Sequence, residues 1–292
     1  IKGAVVTEMT DRRRYKHDAS IYELTPEVVV KPQHSEDIQK IVKLVAKNKP
    51  SHPLLSITPR GAGTDMSGGA ISGSILLDMT THFQAIESFK NNILHVQPGA
   101  YMRNIDPLIN NHGRQIGAVP ASRAFCTIGG IVGNNAGGEQ SLRYGNADRW
   151  VRELKVVLAD GNEYVIKPIN KKQLDKKMLE NTFEGALYKG VYELIQANYD
   201  SIKTARPRVN KNSMGYNLWA VWDRASGIFD LTQLFTGSQG TLGIITDIAI
   251  ETVPKAEHSG LLLIYLPSLH KLGNVIKTVM QHQPATFEGF DN

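Results

Sequence analysis

The residues most suited to chemistry in this chain are backbone donors, gathered where glycine is dense. The run Ile57-Thr58-Pro59-Arg60-Gly61-Ala62-Gly63-Thr64-Asp65-Met66-Ser67-Gly68-Gly69 places four glycines in nine residues beside a threonine, a serine and an arginine. Glycine adopts positive φ at no steric cost and lets another group approach the backbone closely. Successive N–H groups in such a turn converge into a nest for phosphate oxygens. Thr64 and Ser67 add hydroxyl donors, and Arg60 adds charge. A tight glycine turn between strands is the alternative reading. The run is neither a dinucleotide GxGxxG that opens a helix nor a P-loop, which needs Gly-Lys-Ser/Thr.

Two further stretches share this character. Cys126-Thr127-Ile128-Gly129-Gly130-Ile131-Val132-Gly133-Asn134-Asn135-Ala136-Gly137-Gly138 holds five glycines, two asparagines and no charge. Residues this small let an extended ligand lie against the backbone, unless they serve a close helix contact. Thr236-Gly237-Ser238-Gln239-Gly240-Thr241-Leu242-Gly243-Ile244-Ile245-Thr246 is the third. One extended cofactor touching separated loops requires such an arrangement.

Other chemistries are poorly served. The nine histidines (17, 34, 52, 82, 95, 112, 258, 270, 282) include no pair at the short spacing of a local metal motif. No metal site is readable. A single Cys126 excludes an internal disulfide and a cysteine-built cluster. The net charge of +5 on 292 residues is mild, and the basic residues lack the aromatic interleaving of nucleic-acid binding. Charged residues at 21% and hydrophobic ones at 41% fit a soluble globular chain, and no apolar run reaches the length of a membrane span. A reducing compartment, the cytoplasm, fits, with peripheral attachment at the inner face of the membrane left open.

The elements that must position these loops read as follows. Val28-Val29-Val30-Lys31, between prolines, is a strand; a helix follows with Ser35 as its cap and Ile38, Ile41, Val42 and Val45 on one face. Strands at 54–58 and 74–79 bracket the first glycine run. Hairpins are expected at 85–96, turning at Lys90-Asn91-Asn92, and at 151–167, turning at Asp160-Gly161. Residues 101–112 read as a helix whose first turn Pro107 pushes later. Residues 168–183, rich in lysine, read as a mobile insertion, and a helix near 185–198 leads to the basic loop 206–218. A strand runs from Thr246 to Val253. A strand at Leu261–Leu266, a helix bearing Leu272, Val275, Ile276 and Val279, and a strand at Thr286-Phe287-Glu288 open a further unit. One strand–helix–strand cannot bury both faces of its sheet, so residues 256–292 read as the incomplete start of a second domain.

The ordered set Pro59-Arg60-Gly61-Ala62-Gly63-Thr64, Val96-Gln97-Pro98-Gly99, Thr127-Ile128-Gly129-Gly130, Asn135-Ala136-Gly137-Gly138, Tyr144-Gly145 and Gly237-Ser238-Gln239-Gly240-Thr241-Leu242-Gly243 resembles the FAD-binding domain of the vanillyl-alcohol oxidase/p-cresol methylhydroxylase superfamily. Within it, the set is similar to FAD-linked 2-hydroxyacid dehydrogenases: D-lactate dehydrogenases, glycolate oxidase D subunits and D-2-hydroxyglutarate dehydrogenases. The resemblance implies an α+β fold, with residues 1–255 as the FAD-binding domain (subdomains about 1–82 and 83–255) and 256–292 as the truncated start of an α+β substrate, or cap, domain.

By the same resemblance, Pro59, Arg60, Gly61, Ala62, Gly63, Thr64, Ser67 and Gly68 hold the FAD pyrophosphate. Pro98, Pro120, Ser122, Thr127, Gly129, Gly130, Asn135, Ala136, Gly137 and Gly138 run along the cofactor, and Gln239, Gly240, Gly243 and Ile245 close over it. The implied reaction removes the C2 proton of a D-2-hydroxy acid such as lactate, glycolate or 2-hydroxyglutarate, and passes hydride to flavin N5. The electrons then go to a quinone, a cytochrome, an iron–sulfur protein or oxygen. No catalytic residue is assigned in this chain, since nothing in 255–292 matches the family's histidine motif or its carboxylate-binding arginine. The fragment alone is expected to be inactive.

Four departures from the family's pattern stand out. Asp65 replaces a common glycine, and its side chain is expected to turn away from phosphate or to bond backbone. Gln239 replaces the usual glutamate. Thr64 stands where covalent-flavin members carry histidine, so non-covalent FAD is expected. Trp150 replaces a small polar residue. A flavin-binding accessory subunit without substrate chemistry of its own, paired with another chain, is the second reading. Another reaction on the same scaffold, such as alditol or sugar-lactone oxidation, is the third.

Overall fold

The computed structural model describes residues 1–209 and 211–290. Asn210 of the basic loop, and Asp291 and Asn292 of the trailing segment, lie outside them. Two sheets form the frame. The first contains β1 (Ala4–Val6), β2 (Val28–Lys31), β3 (Ile57–Arg60) and β4 (Ile75–Asp78) in the order β1-β2-β4-β3. β4 pairs in parallel with both β2 and β3, and β1 adds an antiparallel edge. β3 starts later than its apolar run suggests, because the Leu55 N–H still closes a turn onto the His52 carbonyl. It runs through Pro59, which an edge strand tolerates because its missing N–H costs no ladder bond.

Helix α1 (Ser35–Asn48) buries Ile38 and Ile41, with Val42 and Val45 packed beside them. Ser35 does not cap it. Asp37 instead accepts the N–H groups of Lys2 (2.7 Å), Gly3 (2.9 Å) and Gln33 (3.0 Å), which ties the N-terminal strand to the first turn. Burial pushes the Asp37 carboxyl up, and these bonds outweigh it, holding the group below the usual carboxylate range.

The second sheet is antiparallel throughout. It contains β5 (Ile86–Lys90), β6 (Ile93–Val96), β7 (Val151–Val157), β8 (Glu163–Ile166) and β9 (Ile244–Glu251) in the order β5-β6-β9-β7-β8. Both hairpins form. Asn91 (φ 52°) and Asn92 (φ 65°) supply the left-handed pair that a two-residue turn demands. β9 begins at Ile244, ahead of the expected Thr246, because Ile244 pairs with Val157. Val157 and Ile244 also join the core that α1 shares with β2 and β4, so this helix lies between the sheets.

Four expectations are corrected by packing. In α2 (Met102–Asn110), Pro107 sits in the interior rather than near a delayed first turn. Met102, Ile105 and Ile109 are fully buried, and that anchor outweighs the hydrogen bond Pro107 cannot make. After α3 (Ile128–Gly133), the supposed insertion at 168–183 contains an ordered helix, α4 (Lys171–Met178). Asn170 and Gln173 form a capping box, Leu174 is fully buried, and Lys177 bonds Glu184 of α5 (Phe183–Ala197) at 2.8 Å. Lysine spacing hid one buried anchor. The run Leu261–Leu266 forms no strand, with Leu261 85% and Tyr265 88% exposed. Thr286–Glu288 forms none either. A strand exists only through pairing, and among the described residues no sheet edge takes them. The helix between, α6 (Leu272–Met280), does form.

One buried group makes the sheet pH-sensitive. Asp247 of β9 is paired in register with Lys155, and its Oδ2 is buried without a hydrogen-bond partner. Burial first, then the Glu87 carboxylate, push its carboxyl up to about 6, against the pull of Lys155 and His95. A folded value above the unfolded one, roughly 4, means that the protonated form stabilises the fold and that this contribution is lost as pH rises through about 6. Asp247→Asn should therefore raise the urea midpoint above that of the wild type at about pH 8. The two curves should converge below about pH 4. Equal midpoints at both values would contradict this account.

Candidate functional site

The C-terminal end of β3, the loop after it, the residues around α3 and the turn before β9 converge on one cleft, open to solvent at its mouth. Thr127 caps α3 by accepting the Gly130 N–H at 3.4 Å, and the Gly129 N–H is bound to the Pro98 carbonyl at 2.8 Å. The helix is thereby pressed against the end of the β6 strand. Across from it, Gly63 (φ 72°) and Gly68 (φ 85°) give the first loop its left-handed turns.

The ionisable groups of the walls are all engaged. The Arg60 guanidinium donates to the carbonyls of His17 (2.8 Å), Ala70 (3.0 Å) and Tyr15 (3.3 Å). Arginine here stitches the N-terminal segment under the loop, and burial lowers its pKa from the ordinary value. Asp65 turns its carboxylate onto its own loop and onto Asn134. Oδ2 accepts from Gly69 N–H (2.7 Å), Ser67 Oγ (2.8 Å) and Ser67 N–H (3.1 Å), and Oδ1 accepts from Asn134 Nδ2 at 2.7 Å. Burial pushes this carboxyl up, but those donors hold it below the usual range, so it stays ionised. The Cys126 thiol is pushed by burial up to about 11 and stays protonated. Among the described residues, no histidine lines the cleft.

The cleft gathers Pro59, Arg60, Gly61, Ala62, Gly63 and Thr64 from the first run. It also takes Pro98, Pro120, Ser122, Thr127, Gly129, Gly130 and Ala136, and then Gln239, Gly240, Gly243 and Ile245. Five candidates lie outside its walls. Ser67 turns its hydroxyl onto Asp65, and Gly68 packs against Tyr22 and Ser20. Asn135 accepts the Asp148 N–H and lines a separate polar cleft with Arg149 and Arg206. Gly137 abuts Ser141 and Asn146, and Gly138 abuts the Val119 carbonyl. The walls also include Asp65, Gly69, Ala70, Met79, Cys126, Ile131, Gly133 and Asn134, none of which was a sequence candidate. Gly133 and Asn134 stand inside the second glycine run, and the turn spacing of a short helix is the signal that selects them.

The wall that α3 presents to the cleft is open at two of its glycines. A Cβ on Gly133 would meet nothing within 4 Å, and one on Gly130 would meet only Thr127 Oγ1 at 3.5 Å. Space on this wall is therefore kept by absent side chains.

Comparison with known proteins agrees with this geometry. Residues 26–167 match the family described as FAD binding domain. The chain is 29% identical over 275 residues to D-2-hydroxyglutarate dehydrogenase of Escherichia coli (strain K12), covering 94% of this chain and 26% of that protein. It is 27% identical over 283 residues to glycolate oxidase subunit GlcD of Bacillus subtilis (strain 168), covering 95% of this chain and 48% of that protein. The chain thus spans between a quarter and a half of these relatives. In structure it is similar to alkyldihydroxyacetonephosphate synthase, with a TM-score of 0.56 and 16% identity, over 85% of this chain and 38% of that one, a likeness of fold. Glycine loops, cleft and relatives point the same way: over residues 26–167 this chain is similar to the FAD binding domain family.

Proposed function

We propose that this chain is the FAD-binding part of an FAD-dependent dehydrogenase or oxidase acting on a D-2-hydroxy acid, with residues 1–255 as the binding unit in two subdomains and 256–292 as the beginning of a substrate domain. The observation that carries the division of labour is the state of the cleft's ionisable groups. Arg60 and Asp65 have their hydrogen bonds committed, Cys126 is a neutral thiol, and among the described residues no histidine stands in the walls, so no described group here is poised to take the C2 proton. The cleft binds and orients; acid–base chemistry comes from residues beyond these.

In this reading, the backbone N–H groups of Gly61, Ala62, Gly63 and Thr64 take the pyrophosphate, and Ser122, Thr127, Gly130 and Ile245 line the path of the rest. Bound there, the flavin supplies a two-electron acceptor for a CH–OH donor. Thr64 gives no attachment point and Cys126 no thiolate, which supports non-covalent binding. The substrate class rests on the names of the relatives, and the electron acceptor is a quinone, a cytochrome, an iron–sulfur protein or oxygen. Among the described residues, no helix is long and apolar enough to cross a membrane.

Anaerobic mixing with D-2-hydroxyglutarate, D-lactate or glycolate checks the reading. The whole protein, loaded with FAD, should lose its flavin absorption with one of these acids, and the present chain should keep it. Bleaching of the present chain alone, or bleaching of the whole protein by an alditol and by none of the acids, contradicts the reading.

A further inference from the structure

The first loop, the end of α3 and the third glycine run meet at three side chains whose hydrogen bonds all point one way. Gln239 Nε2 donates to Asn134 Oδ1 (3.3 Å) and to Ser67 Oγ (3.4 Å). Asn134 Nδ2 in turn donates to Asp65 Oδ1 at 2.7 Å. Asp65 closes the chain as a pure acceptor, gathering Ser67 and Gly69 of its own loop on its other oxygen. Gln239 has φ 51°, a left-handed conformation rare for a residue with a side chain, while the Gln239 N–H is held by the Gly133 carbonyl at 3.0 Å. The strain is borne at the point where its amide reaches the relay.

We propose that Asp65, Asn134 and Gln239 form a directional amide relay that clasps the glycine loop to the second sheet's side of the cleft, and that it works only with a single carboxylate at one end. Asn134 is the pivot. Its amide must offer oxygen to one neighbour and NH₂ to the other. With Asp65 at one end, the other end must be a donor, which Gln239 is. A glutamate at 239 would supply no donor, leave Asn134 Oδ1 without its partner, and add a second negative charge to one network. The departures Asp65 and Gln239 are then one coupled change: the carboxylate sits at one end of the relay, and the other end is neutral. Asp65, Asn134 and Gln239 all line the cleft, so these are positioning residues for the cofactor loop. The part of this inference that concerns FAD rests on the reading above; the relay itself does not.

The experiment compares three variants of the present chain with the wild type, read in two ways: thermal midpoint without FAD, and FAD affinity by flavin fluorescence. Gln239→Glu should lower the midpoint and weaken FAD binding about tenfold, the size of coupling usual within one hydrogen-bonded network. Gln239→Ala, which removes the donor without adding charge, should do less. The decisive variant is Asp65→Asn with Gln239→Glu. There Asn134 can turn over, accept from residue 65 and donate to residue 239, so both readouts should recover most of the way to wild type. Recovery is what a directional relay requires and what mere loss of packing does not give. A double variant no better than Gln239→Glu alone, or a Gln239→Glu variant no worse than Gln239→Ala, overturns the proposal. Should the wild type itself bind no FAD, the midpoints alone still decide the relay, and the failure belongs to the cofactor reading.

Discussion

Gly133→Leu is expected to fold like the wild type and to bind no FAD. A Cβ at Gly133 meets no atom within 4 Å, so the side chain can leave the backbone without displacing a neighbour. The residue ends α3, where leucine is a better helix former than glycine by roughly 0.5–1 kcal/mol. Its side chain has only the cleft to enter, since Gly133 lines it. The thermal midpoint of the FAD-free chain should therefore hold or rise. FAD affinity should fall at least about a hundredfold, or about 2.8 kcal/mol. Such a separation of stability from binding marks a residue kept small for a ligand. A lowered midpoint together with retained FAD would reverse the assignment.

Gly129→Val, one turn earlier on the same helix, is expected to do the opposite. A Cβ there would lie 2.5 Å from Pro98 Cβ and 2.6 Å from the Pro98 carbonyl oxygen. That oxygen already receives the Gly129 N–H at 2.8 Å. The helix must retreat and lose the bond, or the strand end must move. Neither is cheap in a close-packed core, where Ile128, Ile131 and Val132 of this helix are almost fully buried. A loss of about 3 kcal/mol, seen as a lower urea midpoint with or without FAD, is the expected result. A midpoint equal to wild type would mean that α3 does not abut Pro98. Two glycines of one motif thus serve different ends, packing and ligand space.

This contrast shows what was legible beforehand. The glycine runs, both hairpins and the apolar face of α1 followed from local pattern, because turn chemistry and helical spacing are local. Asn91 and Asn92 announce their own turn, whatever lies around them. The order of the strands did not follow from pattern, since β9 joins β6 and β7 across long separations in sequence. Nor did the roles of Arg60 and Ser67, which look like ligands for phosphate. Both turn to nearby acceptors, Arg60 to the carbonyls of residues 15, 17 and 70 and Ser67 to Asp65. Side-chain direction is set by such neighbours, which residue type alone does not reveal. The apolar run Leu261–Leu266 carries the same lesson: β-branched and leucine-rich sequence proposes a strand, and only a partner edge makes one.

The central claim is that the cleft between the glycine loops and α3 holds FAD non-covalently, through backbone groups and without help from the rest of the catalytic machinery. Titration of FAD into the purified chain, followed by acid precipitation, tests this most directly. The prediction is saturable quenching of flavin fluorescence at one FAD per chain, abolished by Gly133→Leu, with all the flavin released to the supernatant. A folded chain that leaves flavin fluorescence unchanged, or flavin that stays with the precipitate, would contradict it.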